Sequence, residues 1–357
     1  MKLCSVFLLF FIQILVLSSC MDEEIISDDN DDKFIFPVEF GDPNHPVHNI
    51  TTQSGATLGR MLFYDKTLSR NDSVSCSSCH KQQFAFADND KFSIGIRNQK
   101  TQFNSPSLVN LAYAGPLNWD GKNESLEIQA LSPITNIHEM DQRLAVMIEK
   151  LESNDEYSTL FYNAFGDFEI TVERVSLALS QFQRSIISNK SKFDQYLVGN
   201  DNLTDGELDG FLLFQEIGCS SCHAGVLFSG SAINYDGFAN NGLDPEKYLR
   251  QGLMGITNST LDKGKFKIQT LRNIDITGPY MHDGRFATLE EVIDHYSKGI
   301  KISASLDSRL KDSIIFKDEK YGFHFSDEEK ANLLKFLNTL TDHDLITNPR
   351  YSDPFNN

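Results

Sequence analysis

Two five-residue stretches carry the chemistry of this chain: Cys76-Ser77-Ser78-Cys79-His80 and Cys219-Ser220-Ser221-Cys222-His223. Each is a C-x-x-C-H, the attachment signature of a c-type haem. Two thiols three positions apart on a tight turn can add to the two vinyl groups of one porphyrin edge. The histidine that follows then lies under the ring and coordinates the iron. A thiol–disulfide C-x-x-C needs no histidine. A structural zinc site needs two C-x-x-C pairs that close on one metal, and these pairs stand far apart, each with its own histidine. The pattern predicts two covalently bound haem c groups, one on Cys76, Cys79 and His80, the other on Cys219, Cys222 and His223.

These turns need elements to hold them. Leu58, Met61 and Leu62 sit at helical spacing ahead of the first motif. Phe84 and Phe86 follow it, either walling the porphyrin or packing in the core. Val172, Val175, Leu179, Phe182 and Ile186 mark one face of a helix over 172–187, with Thr171 as its N-cap. Residues 190–202 are polar and read as a linker. Thr204 and Glu207 fit a capping box for a helix running to Gly218, beside the second motif. Ser326 and Glu329 make another for a last helix faced by Leu333, Leu334, Phe336, Leu337 and Leu340. The tail after Asp342 reads as a polar extension.

The chain has 357 residues, 40% of them hydrophobic, enough for two ordinary domains. A net charge of −18 argues against nucleic acid as a partner and suits a basic electron-donor protein. Lys2 precedes an apolar run, Leu3 to Leu17, too short for a confident membrane span and suited to export. Leu17-Ser18-Ser19-Cys20 resembles a bacterial lipobox, which predicts an N-terminal lipid at Cys20 as the sole membrane contact. An ordinary signal peptide containing a cysteine is the alternative. Met21 to Lys33 carries seven acids and reads as a disordered tether.

An internal repeat adds detail. Ser107-Leu108-Val109-Asn110-Leu111, Gly115-Pro116, Trp119-Asp120-Gly121-Lys122 and Leu126-Glu127 return as Thr270-Leu271-Arg272-Asn273-Ile274, Gly278-Pro279, His282-Asp283-Gly284-Arg285 and Leu289-Glu290, each pair 163 positions apart. The haem motifs are 143 apart, so the halves read as duplicated haem domains with unequal loops. Beyond the repeat, the first half continues with Gln129 and His138-Glu139-Met140. The second continues with His295-Tyr296, groups able to ligate iron. One haem is expected to do chemistry and the other to transfer electrons.

From about Leu58 to Leu340 the sequence resembles the bacterial di-haem cytochrome c peroxidases and their MauG-like relatives. The resemblance rests on the two C-x-x-C-H motifs, Asn104-Ser105-Pro106-Ser107, Trp119-Asp120-Gly121, Gln129, Glu139-Met140, Thr270-Leu271-Arg272-Asn273 and Gly278-Pro279-Tyr280-Met281-His282-Asp283-Gly284. It implies a mainly α fold of two cytochrome-c-like haem domains packed together, with few short strands. The expected order is a signal peptide over 1–20, a tether over 21–36, a peroxidatic domain over 37–190 and an electron-transfer domain over 191–345.

The resemblance also implies roles. His80 is the proximal ligand of the first haem, and Glu139 the acid–base that moves a proton between the two oxygens of peroxide. Without the resemblance Glu139 reads as a surface glutamate. Gln129 holds the carboxylate or the peroxide, or makes a plain polar contact. Trp119, the only tryptophan, relays electrons between haems, a role compatible with core packing. His223 is the proximal ligand of the second haem. Its outer ligand is Tyr296, with Met281 and His295 as rivals. A tyrosinate favours ferric iron more than a thioether does. Asn104, Thr277 and Pro279 match a calcium site of oxygen ligands.

One departure is informative. Family members that rest in a blocked form carry a removable histidine on a loop that here reads Gly95-Ile96-Arg97-Asn98, with Ile96 about where it would fall. An open first haem is therefore expected. The implied reaction reduces hydrogen peroxide to water with electrons from a small cytochrome or copper protein, in an exported, periplasmic or outer-membrane lipoprotein. MauG-like oxidation of a protein substrate and a non-enzymatic di-haem electron carrier are the alternatives, and a homodimer is compatible with the sequence.

Overall fold

The computed structural model describes residues 32–230 and 237–356; the expected export segment and Cys20 lie outside them. In chain order the helices are α1 (Gln53–Tyr64), α2 (Leu126–Thr135), α3 (Leu144–Glu152), α4 (Asp155–Phe165), α5 (Val172–Ser185), α6 (Lys192–Leu197), α7 (Asp205–Glu216), α8 (Met254–Thr257), α9 (Leu289–Lys298), α10 (Ser308–Lys311), α11 (Asp327–Asn338) and α12 (His343–Thr347). Strands are few and short. β1 (Phe238–Ala239) pairs antiparallel with β2 (Phe266–Lys267), and β3 (Ile315–Lys317) with β4 (Lys320–Gly322). The fold is mainly α, as expected. No helix among the described residues is long and apolar enough to cross a membrane.

Helix starts follow the side chains that can satisfy free N–H groups. The Thr171 hydroxyl accepts from Arg174 N, and both expected capping boxes form, Thr204 with Glu207 and Ser326 with Glu329. Gly218 takes a left-handed φ of 83° just past α7 and turns the chain into the second motif. Helix α5 ends two residues earlier than its apolar pattern, because Ile186 leaves the helical region and gives its carbonyl to the Asn110 N–H at 2.8 Å.

The duplication is visible in the helix crossings. α1 packs on α5, and α7 on α11. At the first crossing Gly59 lies against the Ala178 carbonyl, where an added Cβ would come within 2.7 Å of Phe182 Cβ. At the second, Gly210 lies against the Asn332 carbonyl, and a Cβ would come within 2.9 Å of Phe336 Cβ. The 163-residue repeat keeps its backbone too. Asn110 and Asn273 share positive φ values of 59° and 62°, and the bridges Leu117↔Asn123 and Tyr280↔Phe286 correspond. Helices α2 and α9 begin and end 163 residues apart.

Each crossing seals its own apolar core. Leu58, Leu62, Phe63, Phe86, Val175 and Phe182 are buried in the first; Phe193, Phe214, Phe228, Leu333 and Phe336 in the second. Burial of side chains of this size stabilises by ~1.5–3 kcal/mol each.

Three expectations need correction. Residues ahead of Pro37 already belong to the folded structure: Phe34 is buried, Phe34 N donates to Thr51 O at 3.0 Å, and Phe34 and Phe36 pack towards Tyr113 and Ile187. The polar stretch 190–202 is not a bare linker. A capping box of Ser191 and Asp194 starts α6, and Phe193 anchors it in the second core. The tail is not a polar extension either. Asp342 caps α12, Leu345 and Tyr351 enter the first core, and Tyr64 OH donates to Tyr351 O at 2.7 Å. Isolated apolar residues in polar surroundings carry no periodicity, so these anchors leave no pattern to read.

Candidate di-haem centre

Each motif forms one turn of 3₁₀ helix, Cys76–Ser78 and Cys219–Ser221, with the histidine next after the second cysteine. His80 Nδ1 lies 2.9 Å from Phe86 O, and His223 Nδ1 3.3 Å from Phe228 O. An Nδ1–H donated to a carbonyl fixes the tautomer and leaves Nε2 to ligate metal. Burial lowers the pKa of both imidazoles, His223 to about 4, so both rings are neutral and able to bind. Phe86 does not wall a cavity; it packs against Phe63, Phe182 and Tyr351, and its carbonyl orients His80.

The four motif cysteines are unpaired. Burial pushes Cys76 and Cys219 up to about 12 and Cys79 up to about 11. A redox C-x-x-C depends on a lowered thiol pKa, so these pairs do not suit thiol–disulfide exchange. Neutral thiols lining an apolar cavity beside a neutral imidazole fit covalent haem c.

Cys76, Cys79 and His80 line one cavity with Phe63, Ile94, Gly95, Gln129, Pro133 and Glu139. Residues on four separate segments thus converge, and Gln129 and Glu139 are among them. Burial raises the Glu139 pKa, and the bond from Asn136 partly offsets this. Asn136 Nδ2 donates to Glu139 Oε1 at 2.6 Å. Sequence reasoning missed Asn136. Its signal was the Asn-x-His turn, for Asn136 Oδ1 accepts from His138 N at 3.0 Å and its carbonyl from Glu139 N at 3.0 Å.

The loop over 94–100 is fastened beside Glu139. Ile96 N donates to Glu139 O at 2.9 Å, and Gly95 has no room for a Cβ against the His138 carbonyl. Arg97 Nε donates to Asp141 Oδ2 at 2.8 Å, and His138 meets Gln99. The side chain this loop presents to the cavity is Ile94, not Ile96.

Cys219, Cys222 and His223 line a second, larger cavity of about 250 Å³ with Tyr296, Met281, Trp119 and His282. Asn241 Nδ2 lies 3.3 Å from Tyr296 OH and 3.4 Å from Met281 Sδ. His295 does not reach the cavity: its Nε2 lies 3.1 Å from Asn241 O, and burial lowers its pKa to about 4. Asn104, Thr277 and Pro279 line the same cavity. Among the described residues no cluster of three or more His, Cys, Asp or Glu could hold a further metal ion.

The partition between cavities is the segment 104–108. Asn104, Pro106 and Ser107 face the second cavity, Ser105 and Leu108 the first. Trp119 Nε1 donates to Asn104 O at 2.8 Å, which ties the indole to this partition.

A family profile described as di-haem cytochrome c peroxidase matches residues 53–202. The methylamine utilization protein MauG of Methylorubrum extorquens is 35% identical over 299 residues, 83% of this chain and 80% of that one. Cytochrome c551 peroxidase of Nitrosomonas europaea is 33% identical over 303 residues, 84% of each. The crystal structure of a MauG-like protein associated with microbial copper homeostasis superposes with a TM-score of 0.79 at 36% identity, covering 90% of this chain and 99% of that one. With its two C-x-x-C-H turns, each opening on its own cavity, the chain belongs to the di-haem cytochrome c peroxidase and MauG family.

Proposed function

We propose that this protein reduces hydrogen peroxide to water, H2O2 + 2 e⁻ + 2 H⁺ giving 2 H2O, with electrons from a small donor protein. The observation that carries the reading is the convergence of His80, Cys76, Cys79 and Glu139 on one cavity. Held by these cysteines and His80, a haem would supply the iron at which the O–O bond is cleaved. Glu139 moves the proton. Asn136 occupies Oε1, which leaves Oε2 to take a proton from one peroxide oxygen and return it to the other. Phe63, Ile94 and Met140 line the cavity and give the carboxyl apolar neighbours. Gln129 shares the cavity and can donate to the substrate oxygens.

The second haem, on Cys219, Cys222 and His223 with Tyr296 as outer ligand, would receive electrons and pass them by Trp119. Calcium at Asn104, Thr277 and Pro279 belongs to the same proposal, with Asn104 Oδ1 as its side-chain ligand. So does export with an N-terminal lipid at Cys20.

MauG-like oxidation of a protein substrate is the second reading. Tyr296 in the second cavity favours it, because an anionic oxygen ligand stabilises the oxidised state. One experiment separates the two. Purified protein with both haems is treated with peroxide while its haem bands are followed, and then offered reduced cytochrome c. Turnover of the cytochrome supports the peroxidase. A peroxide response without cytochrome turnover supports protein oxidation, and no response to peroxide refutes both.

A further inference from the structure

We propose that Asn241 is a positioning residue of the second haem, its side-chain amide bonded to the Tyr296 oxygen rather than to Met281 and tempering that oxygen's donation to the iron. The inference rests on the reading of Tyr296 as that haem's outer ligand. Its basis is geometric. One side-chain amide, Asn241 Nδ2, stands 3.3 Å from Tyr296 OH and 3.4 Å from Met281 Sδ, so a single donor addresses both rivals. The two acceptors are unequal. A thioether sulfur accepts weakly, whereas a bond donated to an anionic phenolate is charge-assisted and about twice as strong as a neutral one. A fixed donor at this point therefore favours the oxygen.

The donor is fixed. Helix α9 grips residue 241 twice through consecutive side chains, His295 at its carbonyl at 3.1 Å and Tyr296 at its amide. Its neighbours are clamped as well. Asn240 Nδ2 donates to Ser303 Oγ and Ser305 Oγ, both at 3.0 Å, and Asn240 Oδ1 accepts from Gly242 N at 3.0 Å. Gly242 holds a φ of 70°, its carbonyl accepts from Lys301 N at 2.7 Å, and a Cβ there would come within 2.6 Å of Ile300 Cγ2. The loop cannot move its backbone away from helix α9 without breaking these bonds, and His295, a rival ligand by sequence, instead braces the residue whose amide meets its neighbour.

A hydrogen bond to an anionic ligand withdraws electron density from it, so losing the bond makes the oxygen a stronger donor to iron. The test uses full-length protein carrying both haems, with haem content measured for each variant. Asn241→Leu removes the donor, and Asn241→Asp keeps the shape while placing oxygen where the N–H was. Both are expected to shift the ferric second-haem spectrum and lower its midpoint potential, Asn241→Asp more. In a Tyr296→Phe background Asn241→Leu should add no shift. If Tyr296→Phe alone leaves the spectrum unchanged, the ligand assignment fails. If Tyr296→Phe changes it while both Asn241 variants match the wild type, or if the Asn241→Leu shift persists in the Tyr296→Phe background, the inference about Asn241 is overturned.

Discussion

Trp119 and His282 occupy the same position of the internal repeat, and their rings meet edge to face, 6.4 Å apart at 68°. The duplication has brought one site into contact with its own copy in the wall of the second cavity. His282 is stacked on Phe266 at 3.7 Å and 9°, and its Nε2 is buried with no hydrogen-bond partner. Burial lowers its pKa to about 4, so it stays neutral beside the indole. The pair differs in chemistry, because only Trp119 offers an electron-rich indole. Trp119→Phe keeps an aromatic ring but loses both the indole and the bond to Asn104 O. Turnover of reduced cytochrome c should fall about tenfold, equivalent to ~1.4 kcal/mol of barrier. The initial spectral response to peroxide should survive, and stopped-flow absorbance reads both on one sample.

On the proposed reaction Glu139 sets the pH dependence. Burial holds its pKa above the ordinary glutamate value, so the carboxyl stays protonated at pH values where an exposed glutamate is ionised. Only the carboxylate can take the first proton from peroxide. The rate of the peroxide reaction should therefore rise with pH through this raised pKa and level off above it. Glu139→Gln should lose ~10² to 10⁴-fold and abolish that limb of the profile. Rapid-mixing kinetics across a pH series check both.

Asn136 gives a sharper test of the same carboxyl. Its bond to Oε1 lowers a pKa that burial raises. Asn136→Ala should move the rising limb to higher pH. It should also slow the reaction by up to about 10²-fold at the plateau, where the carboxylate is present but no longer aimed. A purely structural role would leave the midpoint of the profile in place.

The two haem turns, the capping boxes and the repeat could all be read in advance because each is a local pattern. Thr204 with Glu207 states a helix start within four residues, and Asn110 with Asn273 declares a duplicated turn. Convergence on the first cavity came only through family resemblance, because no spacing relates His80 to Glu139. What stayed hidden has a common cause. Asn241 and Phe34 act through contacts with distant segments, which leave no periodicity, and Asn136 acts through a short turn that does not declare which carboxyl it serves. The region called a linker failed the same way, since its short helix is held by partners far along the chain.

One of those partners gives the last prediction. Arg272 has a side chain of 0% exposure and makes a forked pair with Asp194, at 2.9 and 2.7 Å. It also donates to Val226 O and lies 4.9 Å from the Phe40 ring. Burial opposes ionisation of Asp194, yet the bonds and charge of Arg272 hold its pKa below the usual aspartate value. Asp194→Ala leaves a buried guanidinium without its counter-charge, which costs ~3–5 kcal/mol. Because the folded pKa is depressed, the pair's contribution is complete above the unfolded value of ~3.9 and is lost as pH falls through the folded one. Denaturant unfolding followed by circular dichroism should show the full deficit at neutral pH and a shrinking one below about pH 4. A deficit that stays constant into that acid range would mean that Asp194 acts through the capping of α6 rather than through Arg272.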